Sequence, residues 1–440
     1  MGTQRPHRMT GTTRRQFLAG AAALAAPCLV PASVLGGRGR VAPGDRIGVG
    51  IIGVGGRGGV HVKTLLGMEQ AQILAVCDPQ RLRRDGRKQQ IEKHYAAAAG
   101  RAYKGCGSHN DFRELLARDD IDAVFGAAVG QWHGLHYVMA ARAGKDIYGE
   151  KPLTLTAAEG RAVCDAVRRY GTVFQTGLQQ RSDPRFRFAC ELARSGYLGD
   201  VRSVKVGVPG GATIPTAPTA PVPSHFDYNL WLGPAPATPY NEVKCRSEAF
   251  WGHIYDYSLG FLAAWGVHHL DIAQWGAPSI TAGKVQIQGT ATFPESGMAD
   301  TPLTWRVELV AADGVRLSFT DLSENAMGCR FEGSKGWVHV NRKEIRAAPA
   351  SLLTVAIKPS DTRLYASTHH QGNFLDCVRT RGATAMPVEE GHKATLLPIL
   401  SDIAIRTRRR LTWDWAAERF VGAAEAHRRL RRAMRAPWSL

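Results

Sequence analysis

The sequence predicts an α/β fold that begins with a doubly wound parallel sheet. Three observations support this prediction: a short apolar run ends in a glycine-rich loop, a second apolar run ends in an aspartate, and strand-like and helix-like segments alternate after it. Such alternation is typical of parallel strands with helices on both faces of the sheet. At 440 residues the chain is long enough for two domains, because single hydrophobic cores rarely serve more than about 250–300 residues.

The composition is that of a protein with a well-formed core: 44% of the residues are hydrophobic and 8% are aromatic. The formal net charge is +18, but many arginines lie in runs near the ends of the chain, such as residues 408–410. No basic stripe alternates with aromatic residues, and no nucleic-acid-binding motif is present. We therefore expect a solvated basic surface and no nucleic-acid partner, with a polyanionic partner as the alternative. The eight cysteines form no Cys-x-x-Cys pair, which argues against a zinc ribbon.

Residues 1–35 have the pattern of a twin-arginine export signal. Arg14 and Arg15 precede a weakly hydrophobic stretch, residues 19–30, which is too short to span a bilayer. We expect cleavage after Ala32, a periplasmic or otherwise exported location, and no membrane contact once the signal is removed. This route exports folded proteins, so a cofactor loaded before export would suit it. The alternative is a basic tail that contains two arginines by chance.

The glycine-rich loop after the first apolar run has the spacing of a dinucleotide-binding turn. Residues 46–52 read as a buried strand, and Gly53, Gly55 and Gly58 follow as G-x-G-x-x-G before a helix-like segment. The first glycine permits the tight turn, the second lets a pyrophosphate approach the backbone, and the third lets the helix pack against the strand. The helix N-terminus then offers free N–H groups to the anion. We expect these residues to bind the dinucleotide: Gly53, Gly55, Gly56, Arg57 and Gly58.

Asp78 bears on which dinucleotide is bound. It follows the second apolar run, residues 72–77, at the position where an acid typically binds the hydroxyls of the adenosine ribose. A carboxylate would repel a 2′-phosphate, so we expect NAD. The neighbouring Arg81, Arg83 and Arg84 leave NADP open. The alternative for Asp78 is a turn-forming Asp-Pro pair after a strand.

Two further strand-like segments, residues 121–129 and 145–149, alternate with helix-like segments at residues 111–116 and 136–143. In parallel sheets the ligand lies beyond the carboxyl ends of the strands. Polar and aromatic residues that follow these strands are therefore candidates for the ligand site. We assign Gln131, His133 and Glu150 to the cofactor, while Trp132 and Lys151 are candidates for the substrate side.

From residue 150 onwards the sequence resembles the Gfo/Idh/MocA oxidoreductases, a family named for glucose–fructose oxidoreductase and inositol dehydrogenase. The resemblance begins with Glu-Lys-Pro at residues 150–152, directly after a strand. Each further segment alone would be weak evidence, but together they follow the order of the family and cover nearly everything after the export signal. They are residues 175–181, 228–234, 256–260, 265–276, 331–337 and 370–377.

The resemblance implies two domains after the signal: an NAD(P)-binding Rossmann domain over residues 44–165 and a substrate-binding domain over residues 166–440. It implies that the second is an α/β domain with an open, mostly antiparallel sheet. The other face of such a sheet commonly makes oligomer contacts, so we expect a homo-dimer or homo-tetramer. Strand-like runs agree with such a sheet; they are residues 284–288, 303–310, 315–320 and 337–340.

Two residues match catalytic positions of the family. Lys151 matches a lysine that resembles a proton-transfer or carbonyl-polarising group beside the nicotinamide. His268 matches the first histidine of His-x-x-Asp, the usual acid/base, and Asp271 matches the aspartate that binds substrate hydroxyls. Because they are three apart on an apparent helix, His268 and Asp271 would share one face. The alternatives are a surface lysine and a structural histidine.

The chain departs from the family pattern four residues before His268, where many relatives carry an acid and this sequence has Ala264. Tyr257 is a substitute proton donor or base, ranked below His268. Trp132 is a candidate platform for stacking on a sugar, and Arg181 is a candidate to hydrogen-bond its hydroxyls. We expect no metal ion, because the sequence lacks His-Glu-x-x-His and the reaction needs none.

These features predict an NAD-dependent oxidoreductase, with NADP left open, that acts on a sugar, polyol or glycoside hydroxyl and holds its cofactor tightly. One alternative is a glycosidase or lyase in which the same cofactor first oxidises and then re-reduces the substrate, as in some relatives of the family. A second alternative is a non-catalytic sugar-binding protein that kept the fold.

Overall fold

The computed structural model describes residues 43–440, of which residues 47–440 form one compact unit. The export signal expected at residues 1–35 lies outside the described residues. Within residues 43–440 no helix has the length and apolar character needed to cross a bilayer. The seven cysteines of this part of the chain are buried free thiols.

A parallel sheet forms in the first part of the unit, as the sequence predicts, and it has six strands, two more than the sequence identified. The strand order is 3-2-1-4-5-6 in chain numbering, and each neighbouring pair is parallel. The order reverses between the first and fourth strands, and ligands bind beyond the carboxyl ends of the strands at such a switch point. The strands are β1 (Ile47–Ile52), β2 (Ala71–Cys77), β3 (Gly107–His109), β4 (Ala123–Gly126), β5 (Asp146–Gly149) and β6 (Phe174–Thr176).

Helices bury this sheet through two separate apolar clusters. All six residues of β1 are buried, and a strand covered on both faces reads as a continuous apolar run, not as an alternating one. That is why the first strand could be recognised from sequence. The helices are α1 (Gly56–Leu66), α2 (Arg81–Ala99), α3 (Phe112–Leu116), α4 (His133–Arg142) and α5 (Ala157–Tyr170).

The second part of the unit contains a nine-stranded, mostly antiparallel sheet, as expected. The strands follow the order 13-12-11-7-10-9-8-14-15, and only the seventh and tenth strands pair in parallel within the described residues. The strands are β7 (Val201–Val208), β8 (Lys284–Thr292), β9 (Thr304–Val310), β10 (Arg316–Asp321), β11 (Gly328–Gly333), β12 (Gly336–Val340), β13 (Ile345–Ala348), β14 (Leu411–Asp414) and β15 (Arg419–Phe420). The sequence runs correspond to β8, β9, β10 and β12, and the other five strands were missed.

Long helices pack on one face of this sheet. The helices of the second part are α6 (Pro184–Arg194), α7 (Tyr228–Leu232), α8 (Glu242–Arg246), α9 (Glu248–Trp251), α10 (Phe261–Ala264), α11 (Gly266–Gly276), α12 (His370–Thr380), α13 (Val388–Thr407) and α14 (Ala424–Arg428). Every residue of α11 is buried, because the helix lies between β7 and β11 on one side and α6 and α13 on the other. Helix α11 therefore holds His268 in a rigid setting.

Residues 430–438, near the end of the described chain, pack against segments that surround the parallel sheet. The carbonyl of Leu430 accepts a hydrogen bond from the N–H of Ala158 (3.0 Å), and Arg435 donates to the carbonyl of Gly233 (3.0 Å). The ring of Trp438 then packs edge-on against Trp132, with centroids 4.7 Å apart. The C-terminal segment is thus part of the packing around the first sheet.

Candidate active site

A cavity of about 550 Å³ lies at the carboxyl edge of the parallel sheet. One wall is formed by the loops that follow β1, β2, β4 and β5, and the other by residues of α8 to α11 and nearby segments. Most of the site residues predicted from sequence meet there. Those that line the cavity are Gly53, Gly55, Gly56, Arg57, Asp78, Trp132, His133, Glu150, Lys151, Tyr257 and His268.

The glycine loop between β1 and α1 has the geometry that a dinucleotide requires. Gly53 has a φ of +80°, a left-handed conformation that favours glycine. A Cβ atom on Gly58 would lie 1.9 Å from the carbonyl oxygen of Gly53, so α1 packs too closely on the loop for any side chain. Gly56 has open space at its Cβ position, and no side chain caps α1. The N–H groups at the start of α1 are therefore available to an anion.

Asp78 lies beside this loop at the end of β2. Its carboxylate accepts hydrogen bonds from the N–H groups of Val54 (3.0 Å) and Gln80 (2.9 Å). Burial raises the pKa of Asp78, although the Gln80 hydrogen bond and the charge of Arg83 act in the opposite direction. Each carboxylate oxygen accepts one of these bonds and has a lone pair left, so both can also accept a ribose hydroxyl.

Two of the arginines that left NADP open have partners within the protein. Arg83 donates to both main-chain carbonyls of residues 245–246 (3.3 and 2.9 Å). Arg84 donates to the carbonyl of Asp78 (3.0 Å) and to the side-chain oxygen of Asn110 (3.1 Å). A 2′-phosphate needs several free charged donors. The surroundings of Asp78 therefore favour NAD over NADP.

Glu150 is the centre of a hydrogen-bond cluster beside the glycine loop. One of its oxygens accepts from Nε of Arg57 (2.7 Å) and contacts Nε2 of His61 (2.9 Å). Gln179 donates to the same oxygen (3.3 Å), and the N–H of Lys151 donates to the other (3.2 Å). Burial alone would raise the pKa of Glu150, but the His61 hydrogen bond and the charge of Arg57 hold it well below its usual range. Glu150 thus fixes the loop through Arg57, a role that the sequence did not reveal.

Lys151 reaches from the end of β5 to the second part of the chain. Its Nζ donates to the main-chain carbonyl of Ala264 (3.1 Å) and lies 3.5 Å from Oε1 of Glu248. The alanine that departs from the family pattern therefore supplies its carbonyl oxygen to this site. A carboxylate near Lys151 comes from α9, where no sequence motif pointed to Glu248.

His268 lies in the first turn of α11 and is buried at the cavity wall. Its Nδ1 has no hydrogen-bond partner among residues 43–440. Burial lowers the pKa of His268 well below its ordinary value, and the charges of Lys151 and Arg342 lower it further. The imidazole is therefore neutral near pH 7 and can accept a proton.

Tyr257 also lines the cavity, but its hydroxyl is already engaged. It lies 3.2 Å from the hydroxyl of Thr238, and its ring packs edge-on against Trp231. Burial raises the pKa of Tyr257 to about 12. Such a phenol can donate a proton but is a poor base near neutral pH, which supports ranking it below His268.

Gln131, Trp132 and His133 are consecutive residues after β4, but only Trp132 and His133 line the cavity. The indole N–H of Trp132 donates to the carbonyl of Leu230 (2.9 Å), while its ring reaches the cavity. His133 lies between two carbonyl oxygens, those of Pro152 (2.7 Å) and Ala128 (3.2 Å), and so positions the residues around Lys151. Gln131 does not line the cavity.

The amide of Gln131 donates to the carbonyl of Trp231 (3.1 Å), so this residue joins two loops. Its assignment to the cofactor remains a prediction that the geometry of the cavity does not support.

Arg181 and Asp271, which the sequence assigned to the substrate, bind each other in the structure, and their contact with a substrate remains a prediction. Arg181 donates two hydrogen bonds to the carboxylate of Asp271 (2.8 and 2.7 Å), and both side chains are buried away from the cavity. The guanidinium also stacks over Trp275, 4.4 Å from the ring centroid. A buried carboxylate needs a charged partner, and Asp271 finds it inside the protein.

Arg342 and Trp265 line the cavity although no sequence pattern singled out either of them. Arg342 belongs to a polar turn between β12 and β13, which reads as ordinary surface. Trp265 precedes α11 and opens the family-like segment of residues 265–276, but that resemblance assigned no role to it. Their contribution depends on contacts between distant segments, which spacing along the chain does not encode.

Comparisons with known proteins cover both parts of the chain. Residues 47–178 match the family described as "Oxidoreductase family, NAD-binding Rossmann fold". Residues 211–440 match its companion, "Oxidoreductase family, C-terminal alpha/beta domain", of the Gfo/Idh/MocA group.

Two curated relatives are similar over part of the chain. The scyllo-inositol 2-dehydrogenase (NAD(+)) of Bacillus subtilis is 30% identical over 150 residues, 34% of this chain and 40% of that protein. A glycosyl hydrolase family 109 protein of Shewanella pealeana is 33% identical over 127 residues, 28% of this chain and 27% of that protein. The match thus spans less than half the length of either relative.

A solved structure shares the fold over a longer range. The aldose-aldose oxidoreductase from Caulobacter crescentus, complexed with glycerol, superposes with a TM-score of 0.58 at 19% identity. The superposition covers 84% of this chain and 99% of that one.

Proposed function

Because the chain belongs to the Gfo/Idh/MocA oxidoreductase family, we propose that it is an NAD-dependent oxidoreductase acting on a hydroxyl of a sugar, polyol or glycoside. One observation carries this proposal: Lys151 and His268 line the same cavity as the glycine loop and Asp78. A proton-accepting group and a cofactor-binding loop thus share one enclosed space.

The residues of the cofactor half fit a nicotinamide dinucleotide. The uncapped start of α1 would hold the pyrophosphate, and Asp78 would hold the adenosine ribose. When bound, the nicotinamide accepts the hydrogen and electron pair that leave the substrate carbon.

His268 acts as the base for the substrate hydroxyl. Because its imidazole is neutral, it takes the hydroxyl proton as the carbon–hydrogen bond breaks. Lys151 is held beside the site by the carbonyl of Ala264. Its positive charge stabilises the negative charge that develops on the substrate oxygen, and also keeps His268 from being protonated in advance.

The test is to purify the native protein, denature a portion, and assay the released nicotinamide nucleotide. The remaining native protein is then incubated with neutral sugars, sugar acids and aryl glycosides while the absorbance of reduced nicotinamide is followed. Net reduction with at least one sugar is the expected result. Absence of both cofactor and turnover would contradict the proposal.

A redox-assisted glycosidase is the second candidate, favoured by the similarity to a glycosyl hydrolase family 109 protein. The same cavity would then serve an oxidation that is reversed later in each cycle. Aryl glycosides distinguish the two functions, because a glycosidase of this kind releases the aryl group without net reduction of the cofactor.

We also propose that the cofactor stays bound during turnover. Residues 242–251, which form α8 and α9, contribute to the cavity wall. Arg83 binds the main chain of this segment, and Glu248 pairs with Lys151 across the cavity. Retention of nicotinamide nucleotide through extensive dialysis would support this proposal, and its complete loss would contradict it.

Export and assembly are further proposals. Arg14 and Arg15 support a twin-arginine signal; replacing both by lysine should move the protein from the exported to the cytoplasmic fraction. The family's open sheet supports a homo-oligomer, and the alternately exposed side chains of β8 and β9 would provide its contact face. Light scattering measures the oligomeric state directly.

A further inference from the structure

We propose that the substrate of this site is a sugar acid, and that its carboxylate binds the guanidinium of Arg342. This inference rests on the proposed oxidoreductase function and specifies its substrate class. It starts from one observation: the guanidinium of Arg342 lines the cavity yet has no hydrogen bond or ion pair with any group in residues 43–440.

The other cations of the cavity each have an acceptor. Arg57 binds Glu150 (2.7 Å), Lys151 binds the carbonyl of Ala264 (3.1 Å), and Arg246 lies 3.7 Å from Glu242. Arg83 donates to main-chain carbonyls, as described above. Among the cationic side chains of the cavity that the structure describes, Arg342 is therefore the one without a hydrogen-bond acceptor or ion-pair partner.

The position of Arg342 is fixed by its turn. Oδ1 of Asn341 accepts hydrogen bonds from the N–H groups of Lys343 (2.8 Å) and Glu344 (3.0 Å), which closes the tip of the β12–β13 hairpin. The carbonyl of Arg342 itself accepts from Arg185 (2.9 Å). The backbone that carries the guanidinium is thus anchored from both sides.

The guanidinium stands next to the proposed base. It lies over the ring of Trp265, 4.9 Å from the centroid, and the centroid of His268 is 6.1 Å from that of Trp265. Stacking on an aromatic face orients a guanidinium and leaves its edge N–H groups free to bind an anion. A carboxylate at that edge would hold a sugar next to His268.

The amount of charge favours a carboxylate over a phosphate. One guanidinium without an acceptor carries a single positive charge and forms a two-pronged hydrogen-bond pair with a carboxylate. A phosphate monoester carries about −1.5 to −2 near pH 7 and is best held by further cationic donors. Arg57, Arg83 and Arg246 already have acceptors in the protein, and Lys151 is assigned to the reacting oxygen. A hexuronate or an aldonate therefore fits Arg342 better than a sugar phosphate.

The test compares matched sugars on the NAD-loaded enzyme. Glucuronate is paired with glucose, galacturonate with galactose, and glucose 6-phosphate serves as the phosphate arm. We expect kcat/KM for one sugar acid to exceed that of its neutral partner by about tenfold or more, as for a charge-assisted hydrogen bond. No preference for either acid, or a preference for the phosphate, would overturn the proposal while leaving the oxidoreductase function intact.

Arg342→Gln tests the residue itself. We expect the preference for the acid to fall by about tenfold, mainly through KM, and Arg342→Lys to restore part of it. Arg346→Gln is the matched control, because Arg346 carries the same charge nearby, pairs with Glu344 and lies outside the cavity wall. An equal loss of preference in the control would overturn the proposal.

Two binding measurements separate this proposal from the oxidoreductase function. The nicotinamide content of purified Arg342→Gln should equal that of the wild type; loss of nucleotide would assign the guanidinium to the cofactor and overturn the proposal. Calorimetric titration of wild type and variant with the sugar acid needs no turnover. Binding that depends on Arg342 would uphold this inference even if oxidation failed.

Discussion

Helix α11 carries two polar residues one turn apart in opposite situations. Asp271 is fully satisfied, because Arg181 donates two hydrogen bonds to it and Gln274 a third (3.1 Å). His268 faces the cavity, and its Nδ1 has no partner among the described residues. Nε2 of the neighbouring His269 also has no partner among the described residues, but His269 lies outside the cavity wall, so the position of His268 at the cavity is what sets it apart. The difference supports the proposed role of His268 in the reaction and suggests a structural role for Asp271, and the variants below test both.

The largest expected effect comes from His268→Ala. Removal of a general base typically lowers the rate by about 10²–10⁴-fold, and kcat/KM should fall by that amount while nicotinamide content is retained. His269→Gln is the control, because His269 is the next residue on the same buried helix and lies outside the cavity wall. Equal losses of kcat/KM in the two variants would contradict a special role for His268.

Asp271→Ala should act on stability instead of chemistry. It leaves the charge of Arg181 buried without a partner, which costs about 3–5 kcal/mol of unfolding free energy. Urea denaturation measures this loss, and adding Arg181→Met to the same variant should recover most of it. If the variant kept wild-type stability but lost most of its turnover, the assignment of Asp271 to substrate binding would be supported instead.

The two histidines of α11 give a pH test. Burial lowers the pKa of His269 to about 3 and that of His268 also falls well below its ordinary value. The unfolded chain therefore takes up protons first, and unfolding free energy should fall as pH drops below about 6.5, by up to ~1.4 kcal/mol per pH unit for each such histidine. Urea titrations at several pH values measure the slope, and His269→Gln should make it shallower. A flat profile would contradict neutral buried histidines.

The smallest effect is expected at Glu248. Its carboxylate is about half exposed and lies 3.5 Å from Nζ of Lys151, and exposed pairs contribute only about 0.2–1 kcal/mol. Glu248→Gln should therefore change kcat/KM by about fivefold or less, a small effect beside that of His268→Ala. A loss as large as that of His268→Ala would make Glu248 the missing acid of the site.

Local pattern was enough to predict the four inner strands of the first sheet (β1, β2, β4 and β5) and the glycine loop, but not the two edge strands β3 and β6. The strand before Gly53 is apolar throughout because both faces are covered, and the spacing of Gly53 and Gly58 follows from their contact. The second sheet was predicted less completely. Strand β11 contains glycine at both ends and alternating polar residues, so its position depends on pairing with β7 and β12.

The residues that follow strands were predicted at the cavity from sequence, whereas contacts between distant segments were not predicted. Spacing placed His268 and Asp271 on one helix, but it could not show that Arg181, 90 positions earlier, would pair with Asp271. Glu248 and Arg342 were missed for the same reason, since each reaches the cavity from a short turn or helix with no motif. Only the folded chain brings them to Lys151 and Trp265.

The contact between Trp438 and Trp132 has a consequence for what sets the shape of the cavity. Trp132 lines the cavity, and the ring of Trp438 packs edge-on against it without lining the cavity itself. A residue far along the chain thus holds the ring of Trp132 in place from behind. A substitution at Trp438 would therefore alter the cavity wall without removing any group that faces what the cavity binds.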